Sequence, residues 1–309
     1  MGMRQFLARR LFYSLWTILL SSVIVFALSR MSGDPRLLYL TEYSHLEPER
    51  WEAWGKAMGL DKPLPVQYLI WLGKAATGDW GQSIVNGRPA FEAVMERVPV
   101  TMQMTAGGFI FAAIFGIPLG IISAVYRGSL WDYVGRTFAI LGQSLPAFWL
   151  AIVFILIFSV RLGWLPTSGR GGIEHFIMPS VILGWLAAAG FLRLTRSAML
   201  DVMDSEFVKF ARAKGVGKMT IVWKHALRNA IIAPLTFGGL LMAGFATGSV
   251  LTETIFAWPG IGVLALNAVF NNDFPILVGA VLVFAVIYVL AAFLIDVLYA
   301  VVDPRIRYS

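Results

Sequence analysis

The chain has 309 residues, of which 58% are hydrophobic and only 14% are charged, with a formal net charge of +7. Soluble domains are closer to half apolar and a quarter charged, so this composition predicts a polytopic membrane protein. The positive charge lies at the ends of apolar segments, as the positive-inside rule expects, which argues against nucleic-acid binding. Cysteine is absent, which excludes disulfides and thiolate chemistry.

Six apolar stretches are long enough to cross a bilayer core, which takes roughly 20 residues of helix. They lie at about 11–28, 102–126, 134–160, 176–192, 231–251 and 276–301. The sequence therefore predicts an all-α fold with six transmembrane helices. The first stretch is longer than the apolar region of a signal peptide and precedes no small-residue cleavage site, so we expect it to be retained.

The distribution of Lys and Arg orients these helices. With the N-terminus inside, a strongly basic loop between the fourth and fifth stretches is also inside, and the two short outside loops carry only Arg161 and Arg170. Both termini are therefore predicted to be cytoplasmic. The chain is predicted to have three parts. Residues 1–30 are the N-terminal cytoplasmic end and the first helix, and residues 31–99 are an extracytoplasmic loop or cap. Residues 100–309 are a core of five helices with a cytoplasmic loop at 193–230.

The outside loop contains two candidate helices. Residues 49–56 can form a short amphipathic helix, and a second helix is predicted from Pro63, since proline suits a helix start. Aromatic residues that suit a membrane interface are also present: Trp51, Trp54, Tyr68, Trp71 and Trp80. We interpret the loop as a small cap on the outer helix ends or, alternatively, as a docking surface for an external partner.

Few polar residues lie inside the apolar stretches. Gln143 and Ser144 are next to Pro146, where proline frees a backbone carbonyl and can open a kink toward a cavity. They either line a pathway or form hydrogen bonds between helices. Asp296 is a carboxylate within an apolar stretch, but it lies close to the cytoplasmic end, which favours a paired or water-reaching structural role.

The cytoplasmic loop carries a helical pattern. Phe207, Phe210, Ala211 and Lys214 share one face by their spacing, and Gly215 suits the left-handed position that ends a helix. Such an amphipathic helix fits a groove in another protein. A basic, solvated loop that obeys the positive-inside rule explains the same residues equally well.

The loop also resembles a known motif. The run Ala211-Arg-Ala-Lys-Gly215, followed nine residues later by His225-Ala-Leu-Arg-Asn-Ala230, is similar to the EAA loop of ABC importer permeases, in the branch for dipeptides, oligopeptides and nickel. Phe210-Ala211-Arg212-Ala213 stands where the general motif has Glu-Ala-Ala, as in the variant of the peptide branch. Further similar blocks follow in order along nearly the whole chain: Gly33-Asp34-Pro35, Ser144-Leu-Pro-Ala-Phe-Trp149, Gly163-Trp-Leu-Pro166, Glu253-Thr-Ile-Phe-Ala-Trp-Pro-Gly-Ile-Gly262 and Asp303-Pro-Arg305.

The resemblance implies a type I ABC importer permease fold in a bacterial or archaeal cytoplasmic membrane. Implied partners are a second permease, two cytoplasmic ATPase subunits that bind ATP and magnesium, an extracytoplasmic solute-binding protein and the lipid bilayer, with no cofactor in this chain. The implied residues for coupling to the ATPase are Glu206, Phe207, Phe210, Ala211, Arg212, Ala213, Lys214 and Gly215. The candidates for the translocation pathway are Gln143, Ser144, Pro146, Gly248 and Glu253.

Glu253 follows the fifth stretch in an outer turn rich in glycine and tryptophan. It is expected to contact the binding protein or a substrate amine, or else to be an ordinary carboxylate on the outer surface. Glycines four residues apart allow close helix packing, although such spacing is common in apolar sequence. The two pairs are Gly116 with Gly120, and Gly244 with Gly248.

Other functional classes find little support in the sequence. The three histidines, His45, His175 and His225, have no ligand spacing, so no metal site is predicted. The run from Gly215 to Met219 does not fit a nucleotide-binding P-loop, so ATP hydrolysis is expected on partner subunits. Di- or oligopeptides are the expected substrate, with nickel chelates, glutathione and oligosaccharides as alternatives. A membrane scaffold or receptor subunit is the non-transport alternative, and an intramembrane enzyme would need a polar cluster at mid-membrane depth.

Overall fold

The computed structural model describes residues 3–31, 52–53, 55–56 and 59–302, and these ranges are predominantly helical. The helices are α1 (Met3–Met31), α2 (Leu64–Ala76), α3 (Ala90–Met95), α4 (Val98–Val125), α5 (Leu130–Ser144), α6 (Ala147–Phe154), α7 (Ile173–Met203), α8 (Glu206–Ala213), α9 (Ile232–Gly248), α10 (Val250–Ile255), α11 (Ile261–Phe270) and α12 (Phe274–Val302). A π-helix, Ile155–Arg161, continues α6. Between α8 and α9 lie the short helix Lys218–Thr220, the π-helix Ile221–Ala226 and the short helix Leu227–Ala230.

Not all of the six predicted crossings are found as single long apolar helices. In the described part of the chain, four helices are long and apolar enough to cross a membrane, and a fifth crossing is added if the bent pair α5–α6 counts as one. The predicted crossing at 231–251 is divided, because α9 ends at Gly248 and α10 begins at Val250. Helix α9 by itself has 17 residues, which is at the lower end of the length of a full crossing.

Helix α7 lies at the centre of the bundle. Of the 18-residue apolar segment of α7 that could span a membrane, 61% is buried, whereas only 11% of the corresponding segment of α1 is buried. Large apolar side chains of α1, including Phe12 and Leu15, are exposed, as expected for a helix that faces lipid. The predicted fourth crossing, at 176–192, forms the first part of this longer helix, which continues to Met203.

Glycines allow α4 and α7 to pack backbone to backbone. A Cβ atom on Gly116 would lie 2.5 Å from the carbonyl oxygen of Ala188, and one on Gly120 would lie 2.7 Å from that of Leu192. The close packing predicted for Gly116 and Gly120 is therefore confirmed. A Cβ atom on Gly244 would have no described atom within 4 Å, so Gly244 shows no comparable contact.

The predicted third crossing, 134–160, is not one straight helix. It consists of α5 and the α6 segment, which meet at a bend of 109°. Leu145 is extended (φ −85°, ψ 125°), because Pro146 disfavours helical backbone in the residue before it and offers no N–H of its own. At the end of α5, Gly142 lies against α7, where a Cβ atom would be 2.5 Å from the Cβ of Ala189.

The described part of the predicted outer loop packs on one end of the bundle. Helix α2 begins after Pro63, as predicted, and rests on α1: Ser22 and Tyr68 share a hydrogen bond of 2.8 Å, and the Phe26 and Tyr68 rings are 5.5 Å apart. Trp80 packs against Gly279 of α12. Half of the candidate helix at 49–56, including Trp51 and Trp54, lies outside the described residues. We call this end of the bundle the α2 end, and the opposite end the α8 end.

Candidate functional site

Helix α8 forms as predicted, over Glu206–Ala213. Its amphipathic character decides its placement: Val208 is fully buried, whereas Phe207 and Phe210 are 48% and 62% exposed. The exposed side also carries a salt bridge of 2.8 Å between Lys209 and Glu206. The helix therefore lies on the protein surface with two aromatic rings facing away from the bundle.

The C-terminus of α8 is a Schellman motif. The N–H of Val216 donates to the carbonyl of Ala211, and the N–H of Gly215 donates to that of Arg212. Gly215 has φ +79°, the left-handed conformation that the sequence predicted. Lys214 lies with its Nζ atom 4.5 Å from the centre of the Phe210 ring, which holds a cation beside the exposed aromatic.

The segment after α8 anchors this surface to the bundle. Val222 and Ala226 are buried in a cluster with Met199 of α7 and Ile121 of α4. On the other side of the same segment, Met219 and Trp223 are 64% and 55% exposed. Exposed cations accompany these apolar side chains: Lys209, Arg212, Lys214, Lys218 and Lys224. The α8 end thus presents aromatic and apolar groups among positive charges, on a buried support.

The bend between α5 and α6 brings the first three pathway candidates together. Gln143, Ser144 and Pro146 are all exposed. The Oε1 atom of Gln143 accepts a hydrogen bond of 3.1 Å from Nη1 of Arg193 on α7, so Gln143 makes the interhelical bond that was one of its two expected roles. Gly248 is the last residue of α9, and the surroundings of its side-chain position are not among those described.

Glu253 is fully buried, so this structure shows neither the expected contact with a binding protein or substrate amine nor the alternative, an ordinary carboxylate on the outer surface. Its Oε1 atom accepts hydrogen bonds from the hydroxyls of Thr101 (2.8 Å) and Ser249 (3.1 Å), and its Oε2 atom accepts one from the N–H of Val263 (3.1 Å). Gly260 and Gly262 leave room for the carboxylate, because a Cβ atom on either would lie under 3 Å from it. Glu253 therefore joins α10 to the starts of α4 and α11, and both of its buried side-chain oxygens have hydrogen-bond partners.

The sequence reasoning missed a second buried carboxylate, Asp132, at the start of α5. It is 1% exposed and is held by the Arg196 guanidinium through two bonds, Nε to Oδ1 (2.8 Å) and Nη2 to Oδ2 (3.1 Å). Ser123 Oγ donates to Oδ1 (2.6 Å) and the N–H of Gly128 donates to Oδ2 (3.0 Å). The available signal was one acidic residue in the first turn of a helix, close to several arginines.

The remaining acidic candidate, Asp296 of α12, pairs with Arg10 of α1 at 3.1 Å. The predicted paired structural role of Asp296 is confirmed. Within the described ranges, no group of three or more His, Asp or Glu side chains is placed to hold a metal ion.

Comparison with known proteins links this geometry to transport. Residues 116–308 match the family described as "Binding-protein-dependent transport system inner membrane component", and residues 3–105 match the corresponding N-terminal family. The di/tripeptide transport system permease protein DppB of Pseudomonas aeruginosa is 36% identical, over 99% of this chain and 100% of that protein. The glutathione transport system permease protein GsiC of Escherichia coli (strain K12) is 38% identical, over 99% and 100%.

A solved structure supports the fold. The chain resembles a subunit in the structure entitled "Inward facing conformations of the MetNI methionine ABC transporter: CY5 native crystal form", with a TM-score of 0.57. Sequence identity is 23%, and the match covers 70% of this chain and 98% of that one. At that identity, the likeness shows the fold alone, which is the all-α architecture of that chain.

Proposed function

Because this chain belongs to the family of binding-protein-dependent transport system inner membrane components, we propose that it forms part of the membrane pathway of a peptide importer. The match to a di/tripeptide permease along the full length of both chains is the observation that carries this proposal. The equally complete match to a glutathione permease favours glutathione, itself a small peptide, as the second candidate substrate.

We propose that α8 is the contact through which partner ATPases drive transport. Its exposed Phe207 and Phe210 rings, its small Ala211 and Ala213 side chains and the stop at Gly215 suit insertion into a groove. The α8 end then faces the cytoplasm, together with both termini, and the α2 end faces a solute-binding protein outside. ATP and magnesium belong to two partner subunits, and this chain supplies no catalytic group.

The pathway requires a second, similar permease, so that two α8 helices meet two ATPase subunits. The bend at Gln143, Ser144 and Pro146, with Gly248, supplies the polar and small positions expected beside a pathway. The buried Glu253 contributes by holding α10 to α4 and α11 beside the pathway. ATP-driven closure of the ATPases against α8 then shifts the helix bundle between two states that open to opposite sides of the membrane.

Reconstitution of the complete transporter in proteoliposomes tests the substrate. ATP hydrolysis is measured with the solute-binding protein and a panel of di- and tripeptides, with glutathione as a separate arm. We expect stimulation by peptides; stimulation by glutathione alone would assign the second candidate. Stimulation only by nickel chelates or oligosaccharides would overturn the peptide assignment.

A substitution in α8 tests the coupling contact. Phe210→Ala removes the more exposed ring, and we expect the purified complex to lose its ATPase subunits. Phe270→Ala is the matched control, because Phe270 is 74% exposed on α11, away from α8. Equal retention of the ATPase subunits by both variants would contradict the proposed role of α8.

A further inference from the structure

The cluster around Asp132 joins the two helices whose movement the proposed function has to link. Arg196 belongs to α7, and Asp132 belongs to the first turn of α5. We infer that the Arg196–Asp132 pair is the joint that transmits movement of α8 to the bend between α5 and α6. This inference rests on the proposed coupling role of α8.

Helix α7 makes the first half of the connection. It runs unbroken over Ile173–Met203, and only Asp204 and Ser205 separate it from α8. Arg196 lies about 10 Å of helix before Met203, at roughly 1.5 Å per residue. A push on α8 therefore reaches Arg196 through less than two full turns of regular helix and a two-residue connection.

Helix α5 makes the second half. Asp132 lies at its start, and Gln143 and Ser144 lie at its end, directly before the bend. A regular helix passes a displacement at one end to the other, because its backbone hydrogen bonds resist stretching. A shift of Asp132 with Arg196 would therefore move the proposed pathway residues.

The Arg196–Asp132 pair is held by two hydrogen bonds, and this makes it a more rigid connection between the helices than a single ionic contact would be. Arg196 binds both carboxylate oxygens, a fork arrangement that fixes orientation as well as distance. Ser123 of α4 binds both partners, since it donates to Asp132 and accepts a hydrogen bond of 3.1 Å from Nε of Arg196. Arg136 lies 3.6 Å from the same carboxylate but is 44% exposed, at the edge of the cluster.

A second contact between the same helices lies at the bend itself. Arg193, one turn before Arg196 on α7, donates to Gln143. Two arginines of α7 thus hold the two ends of α5, one at its buried start and one at its exposed end. This double attachment explains how α5 could follow α7 as one body.

The test uses the complete transporter with Arg196→Lys, which keeps the positive charge but loses the fork. Uptake and ATP hydrolysis are both measured, and their ratio gives transport per ATP. We expect that ratio to fall on the order of tenfold, within the range typical of coupling between sites, while the complex stays assembled. Arg136→Gln is the control and should leave the ratio unchanged. An assembled Arg196→Lys transporter with a normal ratio would overturn the inference.

A second measurement decides the matter if Arg196→Lys fails to assemble. Nitroxide labels at Tyr133→Cys on α5 and Ser197→Cys on α7 occupy exposed positions that flank the pair. We expect the distance between the labels to stay constant when ATP is added to the otherwise unaltered transporter. A change on the order of one helical turn, roughly 5 Å, would show that the two helices move separately and would refute the joint.

The Phe210→Ala variant separates this inference from the proposed function. If Phe210→Ala loses the ATPase subunits while Arg196→Lys has a normal ratio, the joint is refuted and the coupling role of α8 stands. If Phe210→Ala keeps its ATPase subunits and normal uptake, the proposed role of α8 fails first.

Discussion

Glu253 shows how much a single buried carboxylate can organise. Its two oxygens receive three donors, from α4, from Ser249 directly before α10, and from α11. Thr101 also accepts a hydrogen bond from the N–H of Ile261, so its hydroxyl hydrogen is left to point at Glu253. Every neighbour therefore offers a hydrogen to the carboxylate, and an acceptor is needed at both oxygen positions.

We expect Glu253→Gln to destabilise the protein, because the amide must turn its NH₂ group toward one of these donors. An unsatisfied buried pair of this kind costs about 1–3 kcal/mol. The measurement is the midpoint of thermal unfolding in detergent, with Glu92→Gln as the control on an exposed carboxylate of α3. Equal midpoints for the two variants would show that the hydrogen bonds of Glu253 contribute nothing to stability.

Gly215 allows a sharper comparison, because a second glycine lies two residues away. Gly215 has φ +79°, whereas Gly217 has φ −62°, and a Cβ atom added at either position would have no described atom within 4 Å. Valine at Gly215 strains the backbone by about 1–2 kcal/mol, while valine at Gly217 does not. We expect Gly215→Val to reduce uptake with membrane insertion intact, and Gly217→Val to transport normally. Normal uptake by Gly215→Val in an intact complex would show that coupling does not depend on the end of α8 at Gly215.

Residues whose role could be predicted from the sequence interact with near neighbours along the chain, whereas those that were missed interact with residues far away in the sequence. The stop at Gly215 depends on residues within one turn, so a glycine after a helical pattern was enough to predict it. Asp132 depends on Arg196, and Glu253 on Thr101, 64 and 152 residues away. Such partners become visible only when the chain has folded.

At the scale of elements, the contact between α4 and α7 depends on missing side chains. We expect Gly116→Ala to lower the midpoint of thermal unfolding, since its Cβ would meet the backbone oxygen of Ala188, and overpacking costs roughly 1–3 kcal/mol. Gly73→Ala in α2 is the control, because that exposed position has no described atom nearby. There, alanine should be neutral or stabilising, as usual for glycine in a helix. Similar midpoints for both variants would mean that α4 and α7 can separate without loss.

The lengths of the apolar stretches predicted where helices occur, but not where those helices are interrupted. The ends of α1, α4 and α12 lie within a few residues of prediction, apart from the start of α1. The sequence predicted that Pro146 can open a kink, but not a bend large enough to divide the crossing, and it did not predict the division at Ser249 or the whole of α11. Hydropathy averages over a window, whereas these breaks depend on one proline, on buried hydrogen bonds and on packing against α12.

At the scale of the whole molecule, orientation is the property on which the proposed function depends. The sequence has no cysteine, so introduced cysteines report alone. Ala76 and Lys218 are exposed at the α2 end and the α8 end. We expect Ala76→Cys to react with an impermeant thiol reagent in intact cells, and Lys218→Cys to react only after the membrane is opened. The opposite labelling pattern would invert the bundle and place α8 outside the reach of a cytoplasmic ATPase.

The bent pair α5–α6 has a consequence for the synthesis of the protein. Each arm, Leu130–Ser144 and Ala147–Arg161, is about 22 Å long at roughly 1.5 Å per residue, short of a hydrocarbon core of about 30 Å. Neither arm can settle in lipid as an independent crossing. The end of α5 packs against Trp185 and Ala189 of α7, and these residues are translated later. We therefore expect α5 and α6 to stay at the insertion machinery until α7 emerges, so that the order of translation shapes this part of the fold.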